Sequence, residues 1–161
     1  MRRKSFETLQ CPIARSLERV GEWWSILILR EAFLGATRFD QFQKNLDIAP
    51  NMLTRRLNAL VASGLLERRQ YSAKPPRYDY VLTTLGRDFR PVLWALLAFG
   101  NRNFAPEGKS VVLVDRETGA VAEPILVDRI SGKTMVDGAF QPAAGPAADE
   151  RLRRRYAAAI S

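Results

Sequence analysis

Between Pro50 and Gly64 the chain carries a helical stretch with two opposed faces, and no other segment restricts the fold as tightly. Leu53, Leu57 and Leu60 recur at helical spacing, while Asn51, Thr54, Arg55 and Asn58 line up on the opposite side at intervals of three and four. Pro50 suits the first turn of a helix and Gly64 suits its end, so the spacing predicts a helix from Pro50 to about Ser63. One side must be buried, and the other offers short hydrogen-bonding side chains and an arginine.

The flanking sequence says what buries that stripe. Ile13 to Val20 reads as a short helix beginning after Cys11-Pro12 and ending at Gly21, and Trp23 to Leu34 is apolar almost all round, the mark of a central helix packed on several sides. Gly35 stops it, and Phe39, Phe42 and Leu46 predict a third helix over Phe39 to Leu46, joined to the next by the tight link Asp47-Ile48-Ala49. After Gly64 the alternation at 65–71 and 78–82 predicts two strands joined by 72–77, a wing with a basic tip. Thr83 or Thr84 then caps a long helix to about Asn103, with Pro91 expected to kink it. The expected class is mainly α (α+β): a winged helix-turn-helix with a long dimerisation helix and a small C-terminal β-hairpin extension.

Charge is distributed to match. The net charge is +8; residues 1–104 hold 17 Lys+Arg against 9 Asp+Glu, whereas residues 105–161 hold 8 of each, so the excess belongs entirely to the first part. Within 49–77, Arg55, Arg56, Arg68, Arg69, Lys74 and Arg77 face one acid, Glu67. Such an excess suits a polyanion, since neutralised phosphates release counterions; a solvated charged face is the bland alternative. No histidine is present, which removes the commonest general base and metal ligand, and one cysteine cannot form an intramolecular disulfide. Neither a phosphate-binding loop nor carboxylates paired at catalytic spacing are found, so no enzyme, cofactor or metal is expected. With no apolar run of membrane-spanning length and no signal core, a cytoplasmic location is expected.

The order of elements is that of the MarR-like winged-helix regulators, and particular residues narrow it. Cys11-Pro12, Gly21-x-Trp23 opening the ILILRE helix, Gly35-x-x-Arg38-Phe39, Asn51-Met52-Leu53-Thr54-x-Arg56-Leu57-x-x-Leu60, Gly64-Leu65-x-x-Arg68 and Pro75-Pro76-Arg77-Tyr78-x-Tyr80-x-Leu82-Thr83-x-x-Gly86 follow in sequence over about residues 11–104. In these the chain resembles the HxlR family of bacterial transcription factors. The resemblance implies a DNA-binding and dimerisation domain at 1–104, a regulator, repressor or activator, acting as a homodimer on a palindromic operator in double-stranded DNA, and an extension at 105–161.

A helix laid in the major groove shows its early residues to base edges. Pro50, Asn51, Thr54, Arg55 and Asn58 are therefore candidate DNA-binding residues, with Arg55 foremost, while Arg38, Arg56, Lys74 and Arg77 are expected at phosphates. For Arg56 and Arg68 a simple ion pair stands beside that reading. A winged-helix module that binds protein and not DNA is the alternative function. Cys11, before a helix and one turn from Arg15, is a candidate redox sensor, against the plain reading of a small buried residue. Trp23, Trp24, Phe33, Trp94 and Phe99 are candidates for a pocket binding a small aromatic effector, or else core.

In the extension, Leu113-Val114-Asp115-Arg116-Glu117-Thr118-Gly119 is echoed by Leu126-Val127-Asp128-Arg129-Ile130-Ser131-Gly132, predicting two hairpins; linker at 141–148 and a short helix over 149–160 follow. The two turns resemble the zinc-ribbon-like knuckles of longer HxlR-like proteins, with Asp115, Thr118, Asp128 and Ser131 in the ligand places. Every thiolate is missing, so turns held without metal are expected.

Overall fold

The computed structural model describes residues 10–136 and 138–157. The elements are α1 (Pro12–Val20), α2 (Trp23–Phe33), α3 (Phe39–Leu46), α4 (Pro50–Ala62), β1 (Leu66–Ala73), β2 (Pro76–Leu82), α5 (Thr84–Arg87), α6 (Arg90–Asn103), β3 (Leu113–Val114), β4 (Val121–Ala122) and α7 (Glu150–Ala157). Helices α3 and α4 with the antiparallel pair β1–β2 make a winged helix-turn-helix. The chain divides into two units, one running to Leu93 and one from Trp94, so the division falls within α6. None of the described helices is long and apolar enough to cross a membrane.

In the first unit the leucine stripe is buried as its period demands. Leu53, Leu57 and Leu60 of α4 are fully enclosed with Ile28 and Leu29 of α2, Phe42 of α3 and Leu66 of β1. Each such side chain contributes about 1.5–3 kcal/mol relative to exposure, which is what seats α4. Buried among them is Glu31 of α2, whose carboxylate accepts from Nε and Nη2 of Arg30 and from Nδ2 of Asn45 at 2.8–3.0 Å, tying α2 to the end of α3. Gly35 and Gly64 follow α2 and α4 with φ of 99° and 73°, the left-handed conformation that glycine enters without steric cost. Asp47 does the same at φ 48° to turn α3 into α4.

The wing and the helix after it both depart from expectation. The wing strands are longer than the alternation suggested and are joined at Lys74-Pro75 alone; pairing persists to Ala73↔Pro76, with a bulge at Tyr71 between Gln70 and Ser72. The extra backbone bonds, which do not depend on side-chain pattern, carry the sheet past the alternating residues. The long helix expected from Thr84 to Asn103 is two helices, broken at Asp88-Phe89. Pro91 cannot donate to the carbonyl four residues back and its ring crowds that turn, so α5 stops and α6 starts with Pro91 near its beginning. Thr83 caps α5, its Oγ1 accepting from Gly86 N at 3.0 Å.

In the second unit β3 and β4 form the first hairpin, whereas the echoed segment forms one bridge, Val127↔Thr134, and no strand. The two turns are nevertheless built alike: Gly119 N donates to Asp115 O and Gly132 N to Asp128 O at 2.9 and 2.8 Å, with both glycines at φ 70°. The cluster Arg153, Arg154 and Arg155 lies on α7; the end of that predicted helix, 158–160, lies outside the described residues.

Candidate nucleic-acid interface

Helix α4 presents one polar face to solvent because the opposite face is held in the core. Pro50, Asn51, Thr54, Arg55 and Asn58 are all exposed. Local bonds set what they offer. The Asn51 carboxamide oxygen accepts from Met52 N at 2.7 Å, leaving its NH₂ as two outward donors. The Thr54 hydroxyl donates to Pro50 O at 2.8 Å, so its oxygen is left to accept. Arg55 has no hydrogen-bonding or ionic partner among the described residues. The face therefore combines donors, an acceptor and a guanidinium, the set that base edges in the major groove can pair with.

Arg56, next in sequence, follows the ion-pair reading and not the phosphate one, but inside the fold: it is only 7 % exposed, and its Nη2 lies 3.1 Å from Oε2 of Glu22. The signal was present in the spacing: 53, 56, 57 and 60 are the i, i+3, i+4, i+7 positions of one helix face, and Arg56 sits in the stripe of leucines. Glu22, its partner at the start of α2, was not foreseen at all.

The wing lies beside α3 through backbone. Tyr80 N donates to Thr37 O at 2.7 Å, Arg38 bridges to Asp79, and the Thr37 hydroxyl donates to Asp79 Oδ1 at 3.0 Å. Gln41 accepts from the amides of Thr37 and Arg38, closing the first turn of α3. The Arg38 guanidinium is half exposed, 3.8 Å from Asp79 Oδ1 and 4.8 Å from the centre of the Tyr71 ring. Arg38, Tyr71, Arg77 and Tyr78 line an open groove between α3 and the wing. Lys74 and Arg77 are exposed at the wing tip; Arg68 stacks 4.3 Å from the Tyr78 ring centre, and Arg69 pairs with Glu67. Lys74 and Arg77 at the tip, Arg38 at the groove and Arg55 on α4 are exposed cationic side chains on the helix-turn-helix and its wing.

The remaining candidates stand apart from that face. Cys11 is partly buried at the residue before α1, its carbonyl accepting from Arg15 N at 3.1 Å. Of the five aromatics read as either effector pocket or core, Trp23 is 74 % exposed, Trp24 packs partly buried against the core, and Phe33 is partly buried beneath the Arg90 guanidinium at 4.8 Å. In the second unit Trp94 is exposed, and Phe99 packs edge-on against Phe104 with ring centres 5.4 Å apart. Among the described residues no group of three or more potential metal ligands is assembled.

With this geometry in hand, comparisons with known proteins are specific. The family model described as HxlR-like helix-turn-helix matches residues 19–108. An HTH-type transcriptional regulator of Mycobacterium tuberculosis is 38% identical over 141 residues, covering 87% of this chain and 89% of the relative. A solved structure from Pseudomonas aeruginosa, described as a transcription factor, is 57% identical and covers 90% of this chain and 99% of its own, with a TM-score of 0.67. The redox regulator HypR in its oxidized form is 31% identical, with a TM-score of 0.53; the match covers 97% of HypR but 58% of this chain.

Proposed function

The chain belongs to the HxlR-like helix-turn-helix family and is a DNA-binding transcriptional regulator, not an enzyme, and from that premise we propose that it reads a specific operator through α4. The observation that carries the reading is the exposed set Asn51, Thr54, Arg55 and Asn58, aimed outward because Leu53, Leu57 and Leu60 are fully buried behind it. Asn51 and Arg55 contact base edges, while Arg38, Lys74 and Arg77 hold phosphates and fix the register. A homodimer sets two such helices about 34–36 Å apart, one turn of DNA, and selects a palindromic site.

Release is the second half of the reading. The likeness to HypR, a redox regulator, supports a response at Cys11, which stands partly buried and not sealed in the core. A small aromatic effector is the other candidate signal.

Fluorescence anisotropy on the duplex recovered by selection from genomic fragments tests both. Wild-type protein is expected to bind with a steep salt dependence, and Arg55→Ala to lose about 1–3 kcal/mol of discrimination against other sequences. Salt-insensitive or absent binding would favour a protein-binding module instead. Diamide added to the bound complex is expected to release wild type and spare Cys11→Ser; equal release of the two would end the thiol reading.

A further inference from the structure

Two adjacent arginines on α4 have opposite fates. Arg55 is exposed, whereas Arg56 is buried with its Nη2 at 3.1 Å from Glu22. Glu22 is the residue that caps α2, directly after Gly21 where α1 stops, and its own carbonyl accepts from Ser25 N at 2.8 Å. The pair thus joins the middle of α4 to the corner between α1 and α2.

Stability does not account for it. Replacing a buried ion pair by apolar side chains of similar volume is often neutral or stabilising. Here the guanidinium also leaves Nε buried with no acceptor among the described residues, a further cost. What the pair adds is direction. The attraction that holds Leu53, Leu57 and Leu60 is non-directional and resists small rotations of the helix weakly, whereas a charge-assisted hydrogen bond constrains distance and angle. Successive helical residues point about 100° apart, so a modest rotation of α4 re-aims Arg55 and Asn58 while the leucines stay in the core.

We infer that Glu22 and Arg56 are positioning residues that fix the rotation of α4 against the α1–α2 corner, and with it the aim of Asn51, Arg55 and Asn58. The inference rests on α4 being the DNA-reading helix. It makes Glu22, which lies outside the helix-turn-helix, a determinant of sequence discrimination without contact to DNA.

The test compares wild type, Glu22→Met/Arg56→Met, Glu22→Gln and Arg55→Ala in the full chain, reading thermal melting and anisotropy on the selected operator and on a scrambled duplex. The double variant removes one charge of each sign, so the net charge of the protein, its affinity for scrambled duplex and its salt slope are expected to hold. Its melting temperature is expected to equal or exceed wild type, and its operator affinity to fall about tenfold, comparable to losing one base contact. A folded double variant with the wild-type ratio of operator to scrambled affinity would overturn the inference. Should the double variant fail to melt cooperatively, Glu22→Gln decides, since the one-third-exposed side chain keeps an amide oxygen to accept from the buried guanidinium while the charge that strengthens the bond is gone; a several-fold fall in the ratio supports the pair, and an unchanged ratio overturns it. Wild type that does not prefer the operator would overturn this inference together with the DNA reading, an outcome visible before any variant is compared.

Discussion

A Cβ built on Gly86 would lie 2.0 Å from the carbonyl oxygen of Leu65, a backbone atom that cannot step aside. Gly86 is buried where α5 crosses the junction of α4 and β1, and Thr83 completes that crossing by donating to Gly64 O and accepting from Gly86 N. Gly86→Ala is therefore expected to destabilise the first unit by about 1–3 kcal/mol, the cost of forced overpacking, read as a lower urea midpoint with unchanged slope. A midpoint equal to wild type would show that α5 can lift away from Leu65. Arg56 teaches the complementary lesson at the same scale. Its charge suggested a surface role, yet its place in the i, i+3, i+4, i+7 stripe put it inside, and position prevailed because the leucines on either side of it cannot be exposed together without losing the core.

Among the elements, the twin turns of the second unit show how a carboxylate organises a loop. Asp115 is held below the usual carboxylate range by backbone hydrogen bonds from Thr118 and Glu117 and by the Thr118 hydroxyl. Asp128 is lowered mainly by the Ser131 hydroxyl, then by the amides of Ser131 and Ile130. A carboxylate whose folded pKa is depressed contributes stability above its unfolded pKa, near 3.8, and that contribution is lost as pH falls through the lower folded value. The Thr118 and Ser131 amide resonances are accordingly expected to hold from pH 7 to about 4 and to move toward random-coil positions only below it. Movement centred near pH 5 would contradict the carboxylate role. Asp115→Asn is expected to loosen the first turn at neutral pH and leave the second intact.

For the molecule as a whole, large apolar side chains remain exposed in each unit taken by itself: Ile13 and Leu17 on α1 in the first, and Trp94, Leu96 and Phe99 on α6 in the second. A homodimer is expected to cover such side chains. Sedimentation equilibrium is expected to return twice the chain mass, and Leu96→Arg, which charges an already exposed position, to shift the equilibrium toward single chains. Operator affinity would then fall about a hundredfold, because two linked half-site contacts become one. A single-chain mass for wild type, bound or free, would remove both the dimer and the palindrome.

The amino-acid sequence by itself determined the order of the first six elements, the buried stripe of α4, the outward set around Arg55 and the glycine stops. Each follows from local physics: hydrophobic period, backbone conformational cost and capping chemistry act within one or two turns of chain. Only the tertiary structure decided the rest. The extra length of the wing, the burial of Arg56 on Glu22, the tie between Arg38 and Asp79, and the unequal outcome of the repeated segments all depend on contacts between residues far apart in sequence, or on backbone pairing that no side-chain pattern encodes.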